Sequence, residues 1–251
     1  MKNITIESFL LFCYCWIAIA VITFVALLFI RQPYGRHVRK GFGYMINNKL
    51  GWLVMEIISP IAFNFFFLHG NTMKTPLHWL FFAIFNLHYL NRSIIFPLRT
   101  NTKGKKIPLS IVLSAILFNC VNGFINGFYL GNFQNSNPTI ILIGIGITLF
   151  LIGFYINNRS DSILIALRKD GSTDYKIPHG FLFEKITCPN YLGEILEWLG
   201  FFIMTMNIAS FTFLIWSLAN LIPRARDHHA WYVKTFKEYP SNRRVIFPYL
   251  F

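Results

Sequence analysis

Of 251 residues, 55 % are apolar and only 13 % are charged, and the mean hydropathy is +0.49. A soluble globular chain carries about 25 % charged residues, so much of this surface faces lipid, and a water-soluble class is excluded. The formal net charge of +13 would suit nucleic acid if it coated a folded domain, but Lys and Arg stand in short blocks between apolar runs, as membrane topology requires, and no nucleic-acid partner is expected.

A helix crossing ~30 Å of hydrocarbon takes about 20 apolar residues. The first such run, Phe9–Ile30, follows a single basic residue, Lys2. It is too long for a signal-peptide core, and Arg31 follows it in place of a small-residue cleavage site, so it reads as a retained helix. Further spans are expected at Gly51–Leu68, Leu77–Leu98, Ile107–Leu130 and Pro138–Ile156. The last stretch, Tyr191–Ile222, is too long for one span, and its polar break near Asn207 points to a hairpin of two short helices. The expected architecture is therefore an all-α integral membrane protein with seven transmembrane helices.

Loop charges orient it. Arg31–Leu50, Arg99–Lys106, Arg159–Lys185 and the tail after Ile222 hold 20 of the 23 Lys and Arg residues. The alternate loops hold almost none, which predicts the N-terminus outside and the C-terminus in the cytosol. The segment from Asn157 to Asn190 differs in kind: polar, mixed in charge and rich in turn residues, it reads as a long functional loop.

Three residue groups bear on chemistry. Glu56 lies inside the second span and Arg92 inside the third, with Tyr89 three residues before Arg92 on the same helical face. An ionisable group at membrane depth costs ~3 kcal/mol on insertion scales, so these residues either work on a substrate or form a pair that locks two helices. Glu194 and Glu197 stand one turn apart near the start of the final hairpin, where capping of a helix N-terminus is the plainer reading. The tail offers Arg224, Arg226, Asp227, His228, His229, Trp231, Tyr232, Lys234 and Tyr239. That mixture suits a polar phosphorylated ligand better than a lipid headgroup.

Adjacent histidines with only Cys188 nearby lack zinc spacing, and no metal site is expected. Cys13, Cys15, Cys120 and Cys188 make no disulfide scaffold. Gly144 and Gly146 lie within a span, with Leu149 where a third glycine belongs, so there is no dinucleotide fingerprint. Gly123 and Gly127 form a GxxxG suited to close helix packing.

The segment Asn190-Tyr191-Leu192-Gly193-Glu194-Ile195-Leu196-Glu197-Trp198 closely resembles the N-[FY]-[LF]-G-E-I-[IL]-E-W stretch of the steroid 5-alpha-reductases. The ending is similar to that family's too, through His228-His229-Ala230-Trp231-Tyr232, Phe236-Lys237-Glu238-Tyr239-Pro240 and Ile246-Phe247-Pro248-Tyr249-Leu250-Phe251. Asn157 to Asp161, Leu167-Arg168-Lys169 and Tyr175-Lys176-Ile177-Pro178 match in order and spacing.

What the resemblance implies is a single membrane-embedded reductase domain over 1–251, with the substrate pocket mainly in 1–130 and cofactor-binding loops and tail mainly in 157–251. It implies NADPH-dependent reduction of the delta-4 double bond of a 3-oxo-steroid, with hydride delivered to C5. Glu56, Tyr89 and Arg92 match the family's catalytic residues. Asn157, Asp161, Arg168, Tyr175, Asn190, Glu194, Arg224, His228 and Tyr232 match its cofactor-binding positions. Tyr89 and a neutral Glu56 would then donate hydrogen bonds to the carbonyl oxygen as charge develops on it.

Two positions depart from the pattern: Met55 replaces the glutamine of the vertebrate enzymes, and Asp227 stands where a run of three histidines begins. The expected partners are a steroid or other lipid enone and membrane lipid, for a monomer in a bacterial inner membrane or the endoplasmic reticulum membrane. A polyprenol or trans-2-enoyl-CoA reductase of the same fold, and a non-catalytic lipid-binding protein, are the competing readings.

Overall fold

The computed structural model describes residues 4–33, 35–38, 41–102, 104–133, 138–168 and 174–249. Helices dominate. In chain order they are α1 (Ile6–Leu27), α2 (Asn48–Leu68), α3 (Pro76–Leu90), α4 (Phe96–Arg99), α5 (Leu109–Asn132), α6 (Ile140–Ala166), α7 (Pro189–Thr205) and α8 (Ile208–Thr235). Among the described residues, α1, α2, α5, α6 and α8 are long and apolar enough to cross a membrane. The protein is thus a multi-pass helical membrane protein. Leu11, Ile22 and Val25 on α1 and Ile141 and Leu151 on α6 turn outward, as lipid-facing positions do.

One departure from the all-helical expectation is a short ribbon. Strand β1 (Met45–Asn47) pairs antiparallel with β2 (Lys106–Pro108), Ile46 opposite Ile107. It sets the starts of α2 and α5 side by side, and Asn47 caps α2 through its side chain, accepting from Lys49 N and Leu50 N.

The chain divides into two compact units. The first comprises Met1–Cys15, Gln32–Thr139 and Thr205–Phe213. Its centre is the α2–α5 pair, which approaches closely because Gly123, Gly127 and Gly131 repeat every four residues along α5. A Cβ on Gly127 would lie 2.3 Å from Phe63 O, so only glycine permits this spacing, as the GxxxG pattern implied. Around the pair, Phe63 stacks on Phe85 with ring centroids 3.9 Å apart, and Phe9 stacks on Phe128 at 5.6 Å.

The second unit comprises Trp16–Arg31, Ile140–Met204 and Leu214–Phe251. Its α6 and α7 approach through two glycine pairs. A Cβ on Gly146 would meet Gly200 O at 2.6 Å, and one on Gly193 would meet Asn157 N at 2.5 Å. In the same unit Trp216 lies against Trp16, 4.8 Å between rings, and its Nε1 donates to Trp16 O.

The helices correct two sequence boundaries. α6 continues past the apolar run to Ala166, so Asn157–Ala166 is helix and not loop. α8 continues to Thr235, so the helix outruns the expected end at Ile222 and Arg224 to Lys234 are helical residues. In both places the polar residues stop the hydrophobic run without stopping the helix, because helical backbone bonding does not require apolar side chains and the propensity cost of Asn or Asp is below about 1 kcal/mol each. The expected break near Asn207 is present between α7 and α8. Met206 takes φ +45°, and Asn207 Oδ1 accepts from Ser210 N to cap the next helix.

Candidate active site

In the first unit the expected trio falls on two neighbouring segments. Tyr89 is the penultimate residue of α3 and is 2 % exposed. Arg92 lies in a single wide turn, Asn91–Ile95, where Phe96 N donates to Asn91 O, five residues back. Pro97 accounts for the widening. It has no N–H to return to Ser93 O, and its ring would strike that carbonyl in a regular helix. Such π turns within α-helices frequently mark functional sites.

Glu56 sits on α2, half-buried. Pro60, one turn on, withholds the helical donor that the Glu56 carbonyl would otherwise receive. Trp52, Glu56 and Ser59 share one face of α2 by their spacing. Trp52 meets Arg92 directly: the guanidinium lies 4.7 Å from its ring centroid, and Trp52 Nε1 donates to Arg92 O. Phe96 supplies a second ring to the guanidinium, 5.1 Å away, so Arg92 is held between two aromatic faces. At the other end of that face, Ser59 Oγ accepts from Asn122 Nδ2 at 3.3 Å, and the same Asn122 Nδ2 donates to Tyr89 Oη at 3.1 Å. The strip of α2 that carries Glu56 therefore meets Arg92 directly through Trp52 and is linked to Tyr89 through Asn122 of α5.

A line of asparagines on α5 completes this region and was not singled out from sequence. Asn119, Asn122 and Asn126 are all buried. Asn119 Nδ2 donates to Met55 O at 2.7 Å, and Asn126 Nδ2 donates to Asn122 Oδ1 at 3.0 Å. The signal was legible: amides three and seven residues apart in an apolar span lie on one face, and a span carries such groups for a partner. Met55, the first departure from the family pattern, packs its side chain among Ile107 and Val112.

In the second unit the expected cofactor residues gather in three groups. Asn157 and Asp161 on α6 and Asn190 on α7 form one. Asn157 Nδ2 donates to Asn190 O at 2.9 Å, and Asn190 Nδ2 donates to Asp161 Oδ1 at 3.2 Å. The glycine contacts of α6 and α7 bring these amides within reach. Arg168 and Tyr175 form the second, the guanidinium 4.9 Å from the ring and Tyr175 edge-on to Trp231 at 5.2 Å. Arg224 and His228, one turn apart on α8, form the third around Tyr191. Arg224 lies 5.6 Å from that ring, and Tyr191 Oη is 3.1 Å from His228 Nε2.

Tyr232 stacks on Tyr239 with centroids 5.3 Å apart. Glu194 lies in the second turn of α7 and Glu197 in the third, the latter 1 % exposed. The capping reading for these acids is thereby corrected, since the macrodipole acts within the first turn. Lys169 lies outside the described residues. Asp227, the second departure from the family pattern, faces Arg31, whose Nε is 3.6 Å from Asp227 Oδ1.

Sequence reasoning missed the support behind these groups. Buried Thr187 places its hydroxyl 2.6 Å from His229 Nδ1 and 2.7 Å from Tyr239 Oη. Arg243, also buried, donates to Pro178 O at 2.9 Å and lies 5.3 Å from the Tyr239 ring. Burial pushes the Tyr239 phenol up. The Gly180 N–H above all, with help from the charges of Arg243 and His179, holds the exposed Glu184 carboxyl below the usual range against the opposing effect of burial.

The first unit thus holds an acid, a phenol and an aromatic-clasped guanidinium, and the second holds gathered amide, guanidinium and imidazole groups. The profile of the 3-oxo-5-alpha-steroid 4-dehydrogenase family matches residues 105–251. Similar proteins include the steroid 5-alpha-reductase DET2 of Gossypium hirsutum, 36 % identical over 96 % of this chain and 98 % of that one. The DET2 protein of Arabidopsis thaliana is 36 % identical over the whole of both chains. The 3-oxo-5-alpha-steroid 4-dehydrogenase 1 of Bos taurus is 34 % identical over 97 % of this chain and 98 % of its own. The chain belongs to the steroid 5-alpha-reductase family and is an oxidoreductase acting on CH–CH groups.

Proposed function

We propose that this protein reduces the delta-4 double bond of a 3-oxo-steroid, using NADPH and delivering hydride to C5. The observation that carries the reading is that Arg92 packs on Trp52, one turn before Glu56, while Tyr89 and Ser59 of the same α2 face share Asn122. Relatives named for this activity, matching nearly the whole chain, support it.

The residues of the second unit suit a phosphorylated dinucleotide by their chemistry. Arg168 and Arg224 offer planar charged donors for phosphate, Asn157 and Asn190 offer amides, and Tyr175 and Trp231 offer rings for stacking. Asp161, Glu194, His228 and Tyr232 complete the set. Bound NADPH supplies the hydride.

The chain's own contribution is electrostatic. Adding hydride to the beta carbon of an enone drives negative charge onto the carbonyl oxygen. Tyr89 and the neutral carboxyl of Glu56 donate hydrogen bonds to that oxygen where little water competes. Arg92, clasped by Trp52 and Phe96, fixes the geometry of the pair. The chain crosses the membrane seven times with the N-terminus outside and the C-terminus cytosolic. The continuous helical stretch from Pro76 to Arg99 and the 17-residue α7 supply the two spans beyond the five long helices.

The test is direct. Purified protein with NADPH is offered a 3-oxo-delta-4-steroid, a polyprenol and a trans-2-enoyl-CoA, and product formation is followed for each. Turnover of the steroid enone at the highest kcat/KM supports the proposal. Preference for either of the other substrates overturns it.

A further inference from the structure

We propose that Asn122 is the positioning residue that aims the Tyr89 hydroxyl, a role that rests on Tyr89 acting as a donor to the substrate carbonyl. The argument begins with what an amide can do. An N–H group donates and cannot accept, so the 3.1 Å contact from Asn122 Nδ2 to Tyr89 Oη makes the phenolic oxygen an acceptor on that side. The single proton of Tyr89 is then directed away from Asn122. Accepting a hydrogen bond also polarises the O–H and strengthens it as a donor, an effect that grows where the dielectric is low.

This arrangement has an alternative that would defeat it. If the Asn122 side chain turned over, its carbonyl oxygen would face Tyr89 and capture the proton meant for the substrate. Asn126 prevents the turn. Its Nδ2 donates to Asn122 Oδ1 at 3.0 Å and to Asn122 O at 3.1 Å. Reversal would set two NH2 groups against each other in a buried place, since Asn122 and Asn126 are 3 % and 1 % exposed. Ser59 Oγ, 3.3 Å from Asn122 Nδ2, takes the second amide hydrogen. Every polar atom of the Asn122 amide is thus assigned, and the assignment leaves one orientation. The line Asn126, Asn122, Tyr89 passes donor to acceptor in one direction.

Interhelical amide bonds also hold membrane helices together without serving catalysis, and the experiment separates the two roles. Asn122→Leu, which keeps the branched outline of the amide and removes its hydrogen bonds, is made in the otherwise unaltered chain and in a Tyr89→Phe background. Steady-state kcat and both KM values are measured in membranes with NADPH and a 3-oxo-delta-4-steroid. In the unaltered chain kcat falls roughly tenfold, within the coupling range of contacting residues, while the KM for NADPH stays constant. In the Tyr89→Phe background the same change has little further effect, because no hydroxyl remains to aim.

Asn126→Leu gives a smaller fall in the same constant with the same dependence on Tyr89, and it carries the cycle if Asn122→Leu does not accumulate. Equal losses in both backgrounds, with Tyr89→Phe itself impaired, overturn the positioning role and leave that of Tyr89 intact. Near-normal turnover in Tyr89→Phe overturns the parent reading instead.

Discussion

Gly193→Ala tests the link between helix packing and the proposed cofactor site. The added methyl would lie 2.5 Å from Asn157 N and 2.6 Å from Gly153 O, both backbone atoms on a rigid helix. Carbon contacts settle near ~3.5 Å, so α6 and α7 must separate by about 1 Å at this level. That displacement acts on the bond from Asn157 Nδ2 to Asn190 O. It stretches the 2.9 Å contact to roughly 3.9 Å, beyond hydrogen-bond range. Overpacking costs about 1–3 kcal/mol, and a buried amide bond left unmade costs about 1–3 kcal/mol more. If a third of that falls on the bound state, the KM for NADPH rises by about tenfold, since ~1.4 kcal/mol is one decade. The assay pairs that KM with a thermal unfolding midpoint on the same preparation. An unchanged midpoint with an unchanged KM would refute the close approach of the two helices. A lowered midpoint with an unchanged KM would refute the part played by Asn157 and Asn190 in cofactor binding.

In the first unit, Glu56→Leu and Tyr89→Phe should each reduce turnover by ~10²–10³, the usual cost of an oxyanion donor, while NADPH still binds. Glu56→Gln should retain more activity than Glu56→Leu, and near-normal turnover in both Glu56→Leu and Tyr89→Phe returns the trio to a packing role. The charges of Arg168, Lys169, Lys176 and Arg224 should favour NADPH over NADH through bonds to the 2′-phosphate; equal kcat/KM with the two cofactors refutes this. In sealed vesicles an N-terminal tag should be reached only from outside and a C-terminal tag only from the cytosolic side. Both tags on one face would reduce the α7–α8 hairpin to a single span.

Hydrophobic runs located the long helices well, because length and apolarity are the properties a bilayer demands. They misplaced helix ends wherever polar residues prolong a helix beyond its apolar run, as at Asn157–Ala166 and Arg224–Thr235. Glu56 and Arg92 stood out because charge is costly where they lie. Tyr89 stood out only through its spacing from Arg92. Asn119, Asn122 and Asn126 passed unnoticed although their spacing sets them on one face, because a single uncharged amide stands out less in an apolar span than a charge does. Thr187 and Arg243 were hidden for a different reason. Their importance comes from contacts more than 40 residues away along the chain, and no local pattern announces those. The Gly153–Gly193 approach joins two segments, so neither glycine alone reads as a contact.

The wide turn at Asn91–Ile95 has a consequence for helix phase. A regular helix advances about 100° per residue, and a turn that takes in one extra residue delays everything after it by that angle. Phe96 is thereby rotated to the side where Trp52 and the Arg92 guanidinium lie. Deleting one residue between Asn91 and Ile95 would shorten the segment by only ~1.5 Å, a trivial change for a membrane span. Yet it would swing the downstream ring about a quarter-turn off the guanidinium. For this segment rotation matters more than length, and the tolerance of bilayers for small mismatch offers the enzyme no protection against a shift of one residue.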